Sequence, residues 1–140
     1  MKRFLLMLGL LAIATSSFAQ DSTSIQQPET FEYEWEGEMF TMQKYFIVFL
    51  KSGPTRSQSE EEAAELQNAH LAYLGGLYVE GIINLNGPTD GTGDIRGFSV
   101  YNVPTIEKAI ELASNDPMVK AGRLVIEAHP WWLAKGSGVK

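Results

Sequence analysis

An α+β fold is predicted by three observations: a ferredoxin-like βαββαβ sandwich, with a four-stranded antiparallel sheet and two helices on one face. Segments patterned as strands and helices follow one another as β-α-β-β-α-β between residues 43 and 133, which is the split-βαβ order. The first of these strands, Tyr45-Phe46-Ile47-Val48-Phe49-Leu50, is apolar at every position and so is expected to be covered on both faces. Ser-Gly-Pro at 52–54, Asn86-Gly87-Pro88 and Asp116-Pro117 then punctuate the chain where the pattern changes.

Taken in order, residues 1–19 have the pattern of an export signal. Lys2 and Arg3 precede an apolar run from Phe4 to Ala14, and Ser17-Phe18-Ala19 supplies small residues for cleavage. The run is about half the ~20 apolar residues needed to cross a bilayer. The mature chain is therefore expected to start near Gln20, to lack a membrane span, and to be periplasmic or secreted. Residues 20–42 form an acidic, aromatic extension in which Phe31, Tyr33 and Trp35 alternate with Glu32, Glu34 and Glu36. That period of two predicts a strand, either an added edge strand or strap, or an arm for a partner.

In the 43–133 domain, Ser57-x-x-Glu60 and Ser59-x-x-Glu62 are both capping boxes opening the first helix. It is expected to run to about Leu74 and to end at Gly75-Gly76. Ala63, Leu66, His70, Tyr73, Leu74 and Leu77 fall in one sector of its wheel. Strands are expected at 78–85 and 95–103, joined by a turn from Thr89 to Gly93. Thr105 opens a second helix with Ile106, Ala109, Ile110 and Ala113 on one face, and Pro117 ends it. Asp116 can cap a single turn over 117–120 before the last strand, 123–128. A polar tail covers 134–140.

Charge and composition exclude several function classes. The 140 residues carry a net charge of −6, and without the first 19 they hold 9 basic and 17 acidic side chains, a formal charge of −8. Nucleic acid and anionic lipid are therefore not expected partners. Zero cysteines exclude disulfides, thiolate nucleophiles and zinc–thiolate sites, and two histidines exclude a multi-histidine metal cage. Neither a metal nor a cofactor is expected.

His70 is the residue best placed for chemistry. It points at the sheet from an apolar sector, where an unpartnered imidazole costs about 1–3 kcal/mol. It is either a satisfied core histidine or a proton-transfer group in a pocket. Asp116 reads as an ordinary N-cap. The length of helix between Glu60 and His70, roughly 15 Å at 1.5 Å per residue, leaves a direct His70–Asp116 contact open. Candidate substrate contacts are Arg56 and Arg96 in loops, Tyr73 beside His70, Gly87 and Pro88 at the second strand's end, and His129. Arg123, Glu127 and His129 share one face of the last strand, as a ligand cavity or a polar dimer seam. A loop at 87–93 lacks the G-K-[ST] ending of a phosphate loop. The doubly apolar first strand needs cover on its second face, for which a second copy of the sheet is the economical solution, so a homodimer is expected.

Residues 43–132 resemble the YciI-like (YCII-related) domain family, a group of ferredoxin-like domains related to the dimeric α+β barrels. The resemblance rests on His70-Leu71 late in the first helix, on Gly87-Pro88, and on Asn115-Asp116-Pro117-x-Val119-x-Ala121-Gly122 before the last strand. It implies that the family's histidine and aspartate fall on His70 and Asp116, the carboxylate orienting the histidine while it caps the turn. It also implies a cofactor-independent acid–base enzyme, lyase- or isomerase-like, acting on a small acidic or phenolic substrate. The alternative is a non-catalytic small-molecule-binding or accessory module on the same dimeric scaffold. The chain departs from short family members by its signal, its 31–42 arm and its His129-Pro-Trp-Trp ending.

Overall fold

A computed structural model describes residues 26–139; the segment with the export-signal pattern lies outside the described residues. The chain runs β1 (Thr30–Trp35), β2 (Glu38–Ser52), α1 (Glu60–Val79), β3 (Ile83–Pro88), β4 (Ile95–Tyr101), α2 (Ile106–Ser114), α3 (Pro117–Lys120) and β5 (Leu124–Ala134). Because β2 is 15 residues long, it serves three neighbours. It pairs antiparallel with β5 from Met42 to Ser52, with β4 from Phe46 to Lys51, and with β1 from Glu38 to Gln43. Strand β3 completes the sheet on the far side of β4. The expected four-strand α+β sandwich is thus present, and the acidic, aromatic extension adds a fifth strand.

The alternation of β2 sorts the two faces. Phe46, Val48 and Leu50 turn toward the helices, where Phe46 and Val48 pack with Leu74, Leu77, Ile83, Tyr101, Ala109 and Ala113. Leu50 joins Met118 and Leu124 in a second cluster under α3. On the other face Tyr45 and Val100 are buried, Ile47 and Phe49 are half-buried, and Phe98 and Trp131 are over a third exposed. That second face is apolar, as its sequence demands. The β1–β2 hairpin is fastened at its base by Phe31 edge-on to Trp132, 4.8 Å between ring centres, and by Lys44 over the same tryptophan.

Several element ends differ from expectation for local reasons. Of the two capping boxes, the second forms: the Ser59 hydroxyl accepts from Glu62 N–H and the Glu62 carboxylate accepts from Ser59 N–H. Helix α1 continues through Gly75-Gly76, since glycine keeps its N–H and costs only about 1 kcal/mol relative to alanine in a helix. It ends at Gly81, whose φ of 73° is left-handed. There Gly81 N–H donates to Tyr78 O and Ile82 N–H to Leu77 O, the paired bonds of a Schellman cap. The helix therefore takes residues 78 and 79 from the expected second strand, which starts at Ile83. Strand β5 runs on through Pro130 because it is an edge strand, where a missing donor is tolerated.

Candidate active site

Asp116 follows the last turn of α2 and caps α3, so its side chain is held by a backbone donor before any partner is considered. Its Oδ1 accepts from Met118 N–H at 2.8 Å. The short helix α3 packs its Met118 and Val119 near Leu66 of α1, one turn before His70. This contact, invisible in a linear estimate along α1, brings Asp116 Oδ2 to 2.6 Å from His70 Nδ1. The carboxyl is 1% exposed. As a carboxylate, Asp116 accepts at Oδ2 as well, so that His70 Nδ1–H donates, and a neutral ring in that tautomer carries its lone pair on Nε2. Among the described residues Nε2 makes no hydrogen bond, and the ring forms part of a cleft wall.

The cleft encloses about 630 Å³ between α1, the β3–β4 end of the sheet and the start of β5. Arg56, Gly87, Pro88 and Arg96, all expected as substrate contacts, line it together with His70. Two expected contacts do not. Tyr73 turns away to donate to Leu112 O at 2.8 Å, and burial raises its phenol above the ordinary tyrosine range. His129 lies on the opposite sheet face, 2.8 Å from Glu127 and edge-on to Phe49, because odd positions of β5 point away from the helices. Arg123 also leaves the face it was expected to share with Glu127 and His129, and lines the cleft instead.

The reason Arg123 turns is the close approach of two loops. Gly53 N–H donates to Arg123 O and Thr55 N–H to Gly122 O, at 2.8 and 3.0 Å. A Cβ on Gly53 would sit 2.2 Å from Gly122 O, and one on Gly122 would sit 2.5 Å from the Thr55 hydroxyl. Only glycine permits this contact, and it sets the loop carrying Arg56 against Arg123. Arg123 then donates from Nη1 to Gln58 Oε1 at 2.9 Å. Gln67, Leu71 and Tyr78, also missed from sequence, line the cleft from α1. With Leu74 they are spaced i, i+4, i+7, i+11, a second stripe beside the core stripe, and that spacing was the available signal.

Among the described residues no group of three or more histidine, aspartate or glutamate side chains is placed to hold a metal ion. No helix among them is long and apolar enough to cross a membrane. The chemistry open to the cleft is transfer of a proton at Nε2, with the buried carboxylate fixing the tautomer and stabilising the imidazolium formed.

A solved structure of 5-chloro-2-hydroxyhydroquinone dehydrochlorinase from Burkholderia phenoliruptrix AC1100, in complex with 2,5-dihydroxybenzoquinone, is 28% identical. The likeness covers 62% of this chain and 92% of that one, with a TM-score of 0.48. No curated protein matches the sequence. The family model of the YCII-related domain matches residues 46–131, from the core of β2 to the tryptophans of β5 and including both His70 and Asp116. The chain belongs to the YCII-related domain family.

Proposed function

We propose that this protein is an exported, cofactor-independent acid–base enzyme of the lyase or isomerase kind, acting on a small substrate bound in the cleft. The observation that carries the reading is the 2.6 Å His70–Asp116 pair, with its carboxylate buried and its free nitrogen at a cleft wall. His70 Nε2 takes a proton from the substrate, and Asp116 holds the imidazolium in place. The same imidazolium returns the proton, to another substrate atom in an isomerisation or to a departing group in an elimination. Positioned proton transfer of this kind contributes roughly 10²–10⁴-fold to a rate. Arg56, Arg96, Gly87 and Pro88 act as substrate contacts.

The test needs no named substrate. Small molecules with acidic C–H bonds are incubated with the protein in heavy water, and deuterium uptake is followed by proton NMR. Uptake that His70→Gln abolishes supports the enzyme. A second reading, the non-catalytic binding module, is favoured by one fact: Asp116 caps α3 and so has a structural role of its own. Ligand binding without deuterium uptake in any compound supports that module.

Export and dimerisation belong to the same proposal. The signal pattern supports a chain processed near Gln20, and N-terminal sequencing of periplasmic and culture fractions checks it; an intact Met1 in the cytosol counts against it. The apolar face bearing Ile47, Phe49, Phe98 and Trp131 supports a homodimer through the sheet. Light scattering at micromolar concentration is expected to give twice the monomer mass, and a clean monomer excludes the interface.

A further inference from the structure

Arginine and lysine are used differently in this molecule. Of the four arginines in the sequence, Arg3 lies outside the described residues, and Arg56, Arg96 and Arg123 all line the one cleft. The lysines go to the surface: Lys44 pairs with Glu29, Lys51 with Asp94 and Glu127, and Lys108 with Glu111. No arginine takes part in an ion pair among the described residues, although the chain has more acids than bases.

The guanidiniums are instead positioned by neutral groups. Arg56 Nε donates to Gly53 O at 3.3 Å, Arg96 Nη1 to Gly91 O at 2.9 Å, and Arg123 Nη1 to Gln58 Oε1. Arg123 Nε is buried with no acceptor at all. A buried charged donor left unpaired is costly, and an anion beside the same guanidinium offsets that cost. No aspartate or glutamate lines the cleft, so positive potential is concentrated between low-dielectric walls. The remaining lining includes Leu71, Leu74 and Met118, which suit an apolar body. A guanidinium is a planar fork that matches a carboxylate through two parallel hydrogen bonds, which an ammonium does not.

We propose that the cleft takes a small organic acid: a carboxylate held by Arg123 with Arg56 and Arg96, on a compact apolar body such as an aromatic ring. The proposal rests on the acid–base reading of the same cleft and makes Arg123 its specificity-determining residue. The carboxylate anchors the molecule, and the proton to be moved lies at His70 Nε2.

The experiment follows the arginine Nε–H signals of the full chain by NMR during titration with benzoate, with its neutral counterpart benzamide, and with inorganic phosphate. Benzoate is expected to shift the Arg123 signal and to bind at least about tenfold more tightly than benzamide. Arg123→Gln is expected to erase that preference, and Arg123→Lys to restore only part of it, because lysine is a point charge. Arg96→Gln, at an exposed position, provides the same readout if Arg123→Gln does not fold. Equal affinity for benzoate and benzamide, or arginine signals that stay still at millimolar benzoate, overturns the proposal. Phosphate binding tighter than benzoate assigns the arginines to a phosphate ester and overturns the carboxylate. Benzoate binding needs no proton transfer, so the two readings fail separately. An intact benzoate preference without deuterium uptake sinks the acid–base enzyme alone, and deuterium uptake without the preference sinks the arginine assignment alone.

Discussion

His70 meets Asp116 at 2.6 Å and His129 meets Glu127 at 2.8 Å, each on its own side of the same sheet. The two pairs use the same functional groups at nearly the same distance, through Nδ1 in the first and Nε2 in the second, yet their surroundings are opposite. The side chains of the first are 10% and 1% exposed; those of the second are 52% and 49% exposed. The first joins residues 46 apart in sequence through the packing of α3 on α1, whereas the second joins neighbours two apart on β5. Glu127 is shared with Lys51, and water competes for every member of that cluster. Asp116 is shared only with a backbone N–H. Burial and a second fixed donor make the first pair a positioned device, and within the single chain exposure leaves the second a surface ion pair of small energetic weight.

The largest expected difference between the pairs is in proton transfer. His70→Gln should lower the rate of substrate deuterium uptake by at least about 100-fold, while His129→Gln should leave it unchanged. Equal losses from both would erase the distinction between the two faces. Stability separates the carboxylates next. Asp116→Ala removes a cap and leaves His70 Nδ1 without its buried acceptor, an expected cost of about 3 kcal/mol in urea unfolding. Glu127→Ala should move the urea midpoint only slightly, since its partners are exposed.

A smaller effect sharpens the role of the cleft itself. A Cβ on Gly75 meets nothing within 4 Å, and the residue lines the cleft. Gly75→Leu should therefore stabilise α1 by up to about 1 kcal/mol while occupying the space a ligand needs. Benzoate binding should disappear as the thermal midpoint rises. A drop in that midpoint would show that the cleft wall cannot accommodate the side chain.

The smallest expected effects are in pH dependence, and their signs differ across the sheet. Burial, and then the nearby Tyr73 and Asp116, raises the Tyr101 phenol well above its ordinary value. Above pH ~10 the unfolded chain loses that proton while the folded chain keeps it, so stability falls as pH rises. Tyr101→Phe should flatten the alkaline limb of a stability–pH curve. Glu127 is lowered by its hydrogen bond from His129 and by Lys51. Its contribution is present above the ordinary carboxylate range and is lost as pH falls through the lowered folded value. Carbon-13 titration of the Glu127 carboxyl should show the lowered midpoint in wild type and a partial return in Lys51→Ala, the His129 hydrogen bond remaining.

Much of the fold was legible because local chemistry decided it. The order of elements follows from period-two and helical patterns, the Ser59–Glu62 box opens α1, and Asp116-Pro117 opens α3, each through groups a few residues apart. The end of α1 lies beyond the expected Gly75-Gly76 because a stop needs one glycine whose neighbours complete the Schellman bonds. The β1 strand was legible in its alternation, but not which edge of β2 it would join.

By itself, the sequence determined the βαββαβ order, the two apolar faces of β2, and the place of His70 on the inward sector of α1. Each of these depends on groups close in the chain or on the simple count of what is absent, such as cysteine. Only the tertiary structure decided that His70 touches Asp116, that His129 and Tyr73 face elsewhere, and that Arg123 joins Arg56 and Arg96 in one cleft. Those outcomes depend on where α3 settles along α1 and on how closely Gly53 and Gly122 let two loops approach. Such contacts are set by packing between segments tens of residues apart, and no periodicity along the chain encodes them.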